Sequence, residues 1–592
     1  MIKKPHDDTD YQRVFVAMVL AVFVLITWQM KVEWPRRQAM AHLAAHIQDK
    51  RQQEKIAHVE TVNGKEAIDT DENPALSKEQ RLAASPRVTI ASPTLSGSIA
   101  LKGARFDDLT LTKYRVDLTP DSPGVSLLSP NGDMEGYFVQ AGWVAGDNKT
   151  QVPDQHSLWQ ADKKELKDGD TVNLQWKSDE GVTYHLAVSL DENYMFRIKQ
   201  KVENHSGHAI DIVPYAYINR TYEIPQKPGF LHEGPLGVMD GTLNEATYKE
   251  LKEKGNKTFE NTSGWFGLTD KYWLTALIPD GSDYKVTFSH YAKGKQDRYQ
   301  VDYLSEAHNV VDGGNDESSL RFFAGAKELQ LLDNYTVGNA SKNIPPVPLF
   351  DRSLDFGYFY FLAKPMCLVV DGLFRATGNF GVALLIFIVF VKLAMFPLAN
   401  KSFKSMAQIR ALQPETQKIK ERYVDDQIGL HKATRELYKR EKVNPAAGCL
   451  PMIIQVVVFL SLFRGLNVTI EMRHAPFYGW IKDLSVADPS NLFTGFGLIP
   501  WDAPSWLHLG LLPMLYCLTM IVQTSQQPKP ADPVQAKMMT YMPYMMLLFF
   551  DKMASGFVLY WTWSNMLSIA QQRFITRRHG GKQTPLAPST GS

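Results

Sequence analysis

Cysteine is scarce in this chain of 592 residues: there are three, Cys367, Cys449 and Cys517, all in or beside its apolar C-terminal half. The polar region from Pro86 to Pro346 has none, so it holds no disulfide framework. Outside the cytoplasm it would depend on core size alone, which roughly 250 residues permit. Net charge is also lacking. Sixty-four Lys and Arg against 63 Asp and Glu leave a formal +1, which argues against a nucleic-acid binder working by bulk charge. No P-loop, HExxH, G-x-S-x-G or zinc-spaced cysteine pair occurs. The sequence therefore offers no local motif for catalysis, for a metal or for a cofactor.

The mildly negative mean hydropathy averages two unlike halves. Val14 to Met30 is uncharged over seventeen residues, the lower limit for a membrane span. We read residues 1–30 as a retained membrane anchor. A cleaved signal peptide is the competing reading, because Ala39-Met40-Ala41 weakly resembles a cleavage site. Residues 31–87 are rich in Gln, Lys, Glu and Ala and read as a polar linker. Residues 88–346 alternate in short runs such as TVNLQW (Thr171 to Trp176), YHLAVSL (Tyr184 to Leu190) and YKVTFSHY (Tyr284 to Tyr291). Period-two alternation between Gly, Asp, Asn and Pro predicts an antiparallel β-sandwich, which Ile344 to Pro348 then ends.

The apolar half divides into Phe380 to Ala399, Leu450 to Leu466, Trp506 to Gln523 and a long stretch, Met538 to Gln572. Asp551-Lys552 and Gly556 interrupt the last, so it reads as two spans whose first arm, Met538 to Phe550, is only about 20 Å of helix. With the anchor this predicts a six-span α-helical membrane protein, five spans (residues 380–575) forming the core. Residues 350–376 are aromatic but broken by Pro365 and Asp371, and read as an interfacial amphipathic helix. Basic residues set the orientation. Eleven Lys and Arg lie between Lys401 and Lys442, and residues 576–592 form a basic tail. Both termini are thus expected in the cytoplasm and the sandwich in the periplasm, against a local counter-signal from Lys31, Arg36 and Arg37.

One residue stands out chemically. Lys392 lies about 10 Å inside the inner end of its span, among Ile388, Val389, Met395 and Phe396. A lysine at the centre of a span costs about 2.5–3.5 kcal/mol on insertion scales, and no proposed span contains an Asp or Glu to offset it. Either Lys392 snorkels to the inner interface, or it faces a wet groove open to an acidic group on a passing client. The remaining polar candidates are Gln455, Thr519, Gln523, Tyr560, Trp561, Ser564 and Asn565. Each alone is readily a helix–helix hydrogen bond; beside an unpaired lysine, together they favour the groove. Residues 401–444 predict a cytoplasmic helical hairpin, interrupted at Pro414 and turning near Asp425-Asp426, where the bland reading is a solvated connector. Nine Met between Met514 and Met566 suit either core filling or a surface for varied apolar partners.

Four stretches carry a wider resemblance: KVNPAAGCLPMIIQ from Lys442, EMRHAPFYGWIKDLSVADP from Glu471, SGFVLYWTWSNMLSIAQQ from Ser555 and GWFGLTDKYWLTALIP from Gly264. Together they resemble the YidC-type membrane protein insertases over nearly the whole chain. The resemblance implies a bacterial inner-membrane protein with a periplasmic β-supersandwich and a five-span core. It also implies a hydrophilic groove open to cytoplasm and lipid but closed to the periplasm. Such proteins insert and chaperone nascent membrane proteins, with the ribosome, the Sec translocon and the lipid bilayer as partners and no specific nucleic-acid sequence. Members usually carry arginine where this chain has Lys392, so a bidentate guanidinium fork is missing here. Some carry threonine where it has Ile388, and Tyr560 and Trp561 fall where the family has groove-lining aromatics. The alternatives are a transporter or channel, which would favour interrupted repeats and intramembrane carboxylates, and a membrane-anchored periplasmic enzyme acting on sugars.

Overall fold

In Thr171–Lys177 and Val182–Leu190 alternate side chains are buried: Val172 and Leu174, then Val182, Tyr184, Leu186, Val188 and Leu190. Strands with one apolar face of this kind must find a second layer to cover it. The computed structural model describes residues 76–580 apart from 131–135, 148, 223–230, 294–295, 340–343, 424–425, 442, 445, 500, 502–503, 505–506 and 528–532. The expected anchor at 1–30, the linker up to residue 75 and the tail from residue 581 fall outside the described residues.

Among those residues the strands form two sheets. The eleven-stranded one runs from Lys257–Thr262 through Tyr284–Lys293, Gln296–Leu304, Ile210–Thr221, Tyr137–Ala145, Arg105–Arg115, Leu95–Ala100 and Arg87–Ala91 to Glu165–Leu166, with His308–Val310 beside Ile210–Thr221 and Gly124–Leu128 beside Arg105–Arg115. The nine-stranded one runs from Thr242–Glu245 through Gly234–Met239, Gly264–Thr269, Trp273–Pro279, Asn315–Ala326, Met195–Asn204, Val182–Leu190 and Thr171–Lys177 to Gln160–Ala161. Strand pairing is antiparallel except between Arg87–Ala91 and Glu165–Leu166. Across the two sheets, Phe106 meets Phe196 and Phe322 edge-on at 5.6 and 4.8 Å. The large all-β domain expected from the alternation is therefore present.

Alternation fails at one end of the nine-stranded sheet. Gly234–Met239 is buried throughout, as are Gly264–Thr269 and Trp273–Pro279 after their first residue. A third layer explains it. Three short helices, α1 (Lys78–Ala83), α2 (Tyr248–Lys254) and α3 (Leu329–Val337), decorate the domain, and α3 with the turn Phe350–Ser353 lies over this outer face. Phe350 meets Trp265 at 5.1 Å and Phe323 at 5.4 Å, and the Trp265 indole donates to Pro348 O at 3.1 Å. The domain core consequently does not stop near Pro346. Val347, Phe350, Leu354, Phe356, Ala363 and Cys367 continue it into the first helix of the apolar half.

That half contains α4 (Tyr360–Thr377), α5 (Phe380–Ala394), α6 (Phe396–Ala411), α7 (Gln413–Arg422), α8 (Gln427–Arg440), α9 (Ala446–Val468), α10 (Leu511–Ser525), α11 (Pro533–Phe550) and α12 (Ser555–Gly580). Among the described residues, one helix is long and apolar enough to cross a membrane: Gly357–Thr377, the segment read above as interfacial. A second is added if the bent pair α5 and α6 counts as one span. Helix length thus accounts for one or two crossings rather than six. The expected run to Ala399 breaks at Met395, where α6 leaves α5 at 64°. Pro397 is the cause, since it lacks an amide proton and its ring displaces the Leu393 carbonyl. The Met538 to Phe550 arm proves longer than expected, because α11 already starts at Pro533 and is 18 residues. On the other side of the bundle α9 crosses α4 closely: a Cβ at Gly465 would collide with Cys367 Sγ.

Candidate functional site

An amine placed on an otherwise apolar helix must find oxygens or water. On α5, the Lys392 ammonium donates to Ser568 Oγ at 2.9 Å and to Gln455 Oε1 at 3.3 Å. The Gln455 amide nitrogen donates in turn to the Tyr560 hydroxyl. One polar string therefore joins α5, α9 and α12. Every partner of Lys392 is a neutral oxygen, and no carboxylate pairs with it among the described residues. Ser568 also donates to Ser564 O at 2.9 Å, which fixes its hydroxyl and leaves its lone pairs toward the lysine.

The other candidates divide. Asn565 donates to Thr519 Oγ1 at 3.3 Å, tying α12 to α10 apart from the string. Trp561 sits 4.8 Å from Phe459 and 6.2 Å from Phe550, and its buried indole N–H has no partner among the described residues. Gln523 is half-buried and makes no side-chain hydrogen bond to the rest. Ser568 was not anticipated from the sequence. The signal for it is spacing: Tyr560, Ser564 and Ser568 lie four residues apart along one face of α12.

Beyond Tyr560, aromatic rings fill the bundle. Phe463 meets Phe557 at 4.7 Å, and Tyr516 meets Phe550 at 4.3 Å. Past these, where α11 turns into α12, two buried aspartates seal the end. Asp551 accepts from Gly510 N at 2.8 Å and faces His508 Nδ1 at 3.1 Å. Asp488 accepts from Leu512 N at 2.7 Å and from the Trp480 indole at 3.0 Å. Both carboxylates sit against the N-terminus of α10, where its dipole favours them. They also explain why α10 begins at Leu511 and not at Trp506. At the opposite end Ser405 Oγ donates to Asn444 O at 2.8 Å, Arg410 to Ser525 O at 3.2 Å, and Arg440 pairs with Glu415 at 3.0 Å between α7 and α8.

The β-domain is held to the bundle by polar contacts. Lys364 bridges Asp333 and Asp351 at 2.6 Å each, Gln330 donates to Asp371 at 2.6 Å, and Arg464 pairs with Asp355 at 3.3 Å. Just past α9, Glu471 Oε1 accepts from Leu329 N at 3.3 Å while its other oxygen is buried without a partner among the described residues. Burial pushes the Glu471 carboxyl up to about 7, and the charges of Asp371 and Glu328 add to the shift.

Both halves match known families. Residues 87–369 match the YidC periplasmic domain, and residues 372–582 match the 60Kd inner membrane protein. The membrane protein insertase YidC of Rickettsia bellii (strain OSU 85-389) is 42% identical over 566 residues, covering 95% of this chain and 98% of that one. Its counterpart from Rickettsia conorii (strain ATCC VR-613 / Malish 7) is 41% identical, with the same coverage.

The chain belongs to the YidC family.

A solved structure described as an active YidC insertase is matched over 82% of this chain and 92% of that one, at 16% identity and a TM-score of 0.35. The YidC family is one of membrane protein insertases and not of enzymes, so the transporter, channel and sugar-enzyme alternatives fall away. The stretches that carried the resemblance are those that build the site. KVNPAAGCLPMIIQ ends on Gln455, and SGFVLYWTWSNMLSIAQQ supplies Tyr560, Ser564 and Ser568. EMRHAPFYGWIKDLSVADP supplies Asp488 at the sealed end, and GWFGLTDKYWLTALIP forms the strands buried on both faces.

Proposed function

We propose that this chain inserts nascent proteins into the bacterial inner membrane by passing their polar tails through a groove lined by Lys392, Gln455, Tyr560 and Ser568. The observation that carries the reading is an amine inside the bundle whose partners are neutral oxygens, so its charge is unspent. Of the three protons on an ammonium group, two are engaged, leaving one for an acidic or carbonyl oxygen of a client. The rings and aspartates beyond Tyr560 support closure toward the periplasm, and the α7–α8 hairpin with its seven basic residues supports capture on the cytoplasmic side. Ribosomes and the Sec translocon are the partners we assign to that side and to the flank.

Six crossings follow from the same reading: residues 14–30, α5, α9, α10, α11 and α12, with both termini cytoplasmic and the β-domain periplasmic. Support comes from the placement of Lys and Arg in the loops. Helix α4 then lies along the outer interface, where the pairing of Lys364 and Asp371 with the β-domain supports it.

The test uses full-length protein with its three native cysteines replaced. Lys392→Cys reacts with a membrane-impermeant maleimide added from the cytoplasmic side, while Leu385→Cys, about two turns deeper, reacts from neither side. Equal inertness at both positions in a folded, inserted protein overturns the wet groove. In parallel, Lys392→Arg sustains insertion and Lys392→Glu does not.

A further inference from the structure

Between α9 and α10, the segment from Pro489 to Gly510 carries no Lys, Arg or Glu and a single Asp, Asp502. Its two ends are bonded to each other at one place. Asn491 donates to Leu507 O at 3.2 Å and accepts from Leu509 N at 3.3 Å, and Leu492 N bonds to Leu509 O at 2.9 Å. A lobe pinched at its base results. At its far end Gly495 and Phe496 both take left-handed backbone, with φ of 56° and 59°, which reverses the chain. Apolar side chains point away from the protein there: Leu498 is 89% exposed, Ile499 53%, Phe496 48% and Trp501 48%. No described part of the chain covers them, and a cluster of this kind facing water would be costly.

The position of the base identifies what covers it. Helix α10 is 15 residues, about 22 Å, and thus falls roughly 8 Å short of a 30 Å hydrocarbon core. With its inner end at the cytoplasmic face, Leu511 lies below the outer edge of that core, so the lobe emerges within the leaflet and not above it. Leu515 and Leu518 on α10 are exposed as well. Trp501 is of a residue type enriched at the headgroup boundary.

We propose that residues 492–499 and Trp501 are embedded in the outer leaflet, with lipid acyl chains against Phe496, Leu498, Ile499 and Trp501. The proposal rests on the reading that α10 spans the membrane.

Cysteine-free full-length protein carrying Leu498→Cys is labelled with an environment-sensitive fluorophore and reconstituted into vesicles of phosphatidylethanolamine and phosphatidylglycerol. The expected result is blue-shifted emission, quenched severalfold more by lipids bearing a nitroxide near the headgroup or mid-chain than by aqueous iodide. Ile499→Cys gives the same result and guards against a local defect in the first variant. Leu518→Cys serves as the reference and is quenched by chain-borne nitroxide. Water-like emission and iodide quenching at 498 and 499, with 518 buried in lipid, overturn the lobe alone; exposure of all three overturns the spanning reading beneath it. Shielding of 498 that appears only on adding a translocon or a client also overturns the proposal and assigns the lobe to a protein partner.

Discussion

Glu471 illustrates how much one buried side chain can weigh. Its carboxyl titrates near 7 in the folded protein, against about 4.3 when exposed to water. The folded state therefore holds a proton that the unfolded state has lost between those values, and stability falls as pH rises through the window, then levels off. Glu471→Gln, neutral and of the same size, should remove that fall. We expect it to be more stable than the parent by about 3–4 kcal/mol near about pH 8 and equal to it near about pH 4. Thermal unfolding in detergent at the two pH values measures this, and parallel curves for both proteins would refute the assignment. Lys392, Gln455 and Tyr560 were legible in the sequence because a polar group on an apolar helix stands out. Ser568 was not, because a helical serine bonded to its own backbone four residues back is commonplace. Only its partnership with a lysine on another helix gives it meaning.

Helix boundaries depend on contacts that no local pattern contains. Apolar composition marks the later part of α11 but not its start at Pro533, which lies in a polar stretch. The start of α10 is fixed by Asp488 and Asp551, residues distant in sequence. The bend at Met395 was readable in principle from Pro397, yet the apolar run continues past it and masks the break. The hairpin was easier, being amphipathic and punctuated by Pro414 and Asp426, whose carboxylate accepts from Gly429 N at 2.8 Å. Its two arms, α7 and α8, touch through Glu415 and Arg440, and Leu412, Leu430 and Leu437 are buried there. Replacing residues 415–440 by a flexible linker should leave the bundle folded, because the string and the sealed end lie elsewhere. Insertion of clients should nevertheless fall severalfold in a proteoliposome assay. Undiminished insertion would reduce the hairpin to a connector.

Across the whole molecule, alternation made the sandwich legible but not its third layer, because burial of a second face shows in sequence only as a loss of pattern. GWFGLT and WLTALIP break alternation for that reason. Removing residues 90–320 would strip the sheet from α3 and leave Tyr335, Val347, Phe350 and Leu354 uncovered at the membrane surface. We expect such a protein to sustain growth of depleted cells, since the proposed groove residues begin at Lys392, but to unfold at lower temperature and accumulate less. A deletion that accumulates normally and fails to insert would instead give the sandwich a direct part in the reaction. The shared core has a mechanical meaning as well. Cys367 rests against Gly465 on α9, and ten residues further along the same helix, about 15 Å, stands Gln455, the middle link of the string. Load applied to the sandwich would therefore reach α9, the helix that carries the residue bonded to Lys392.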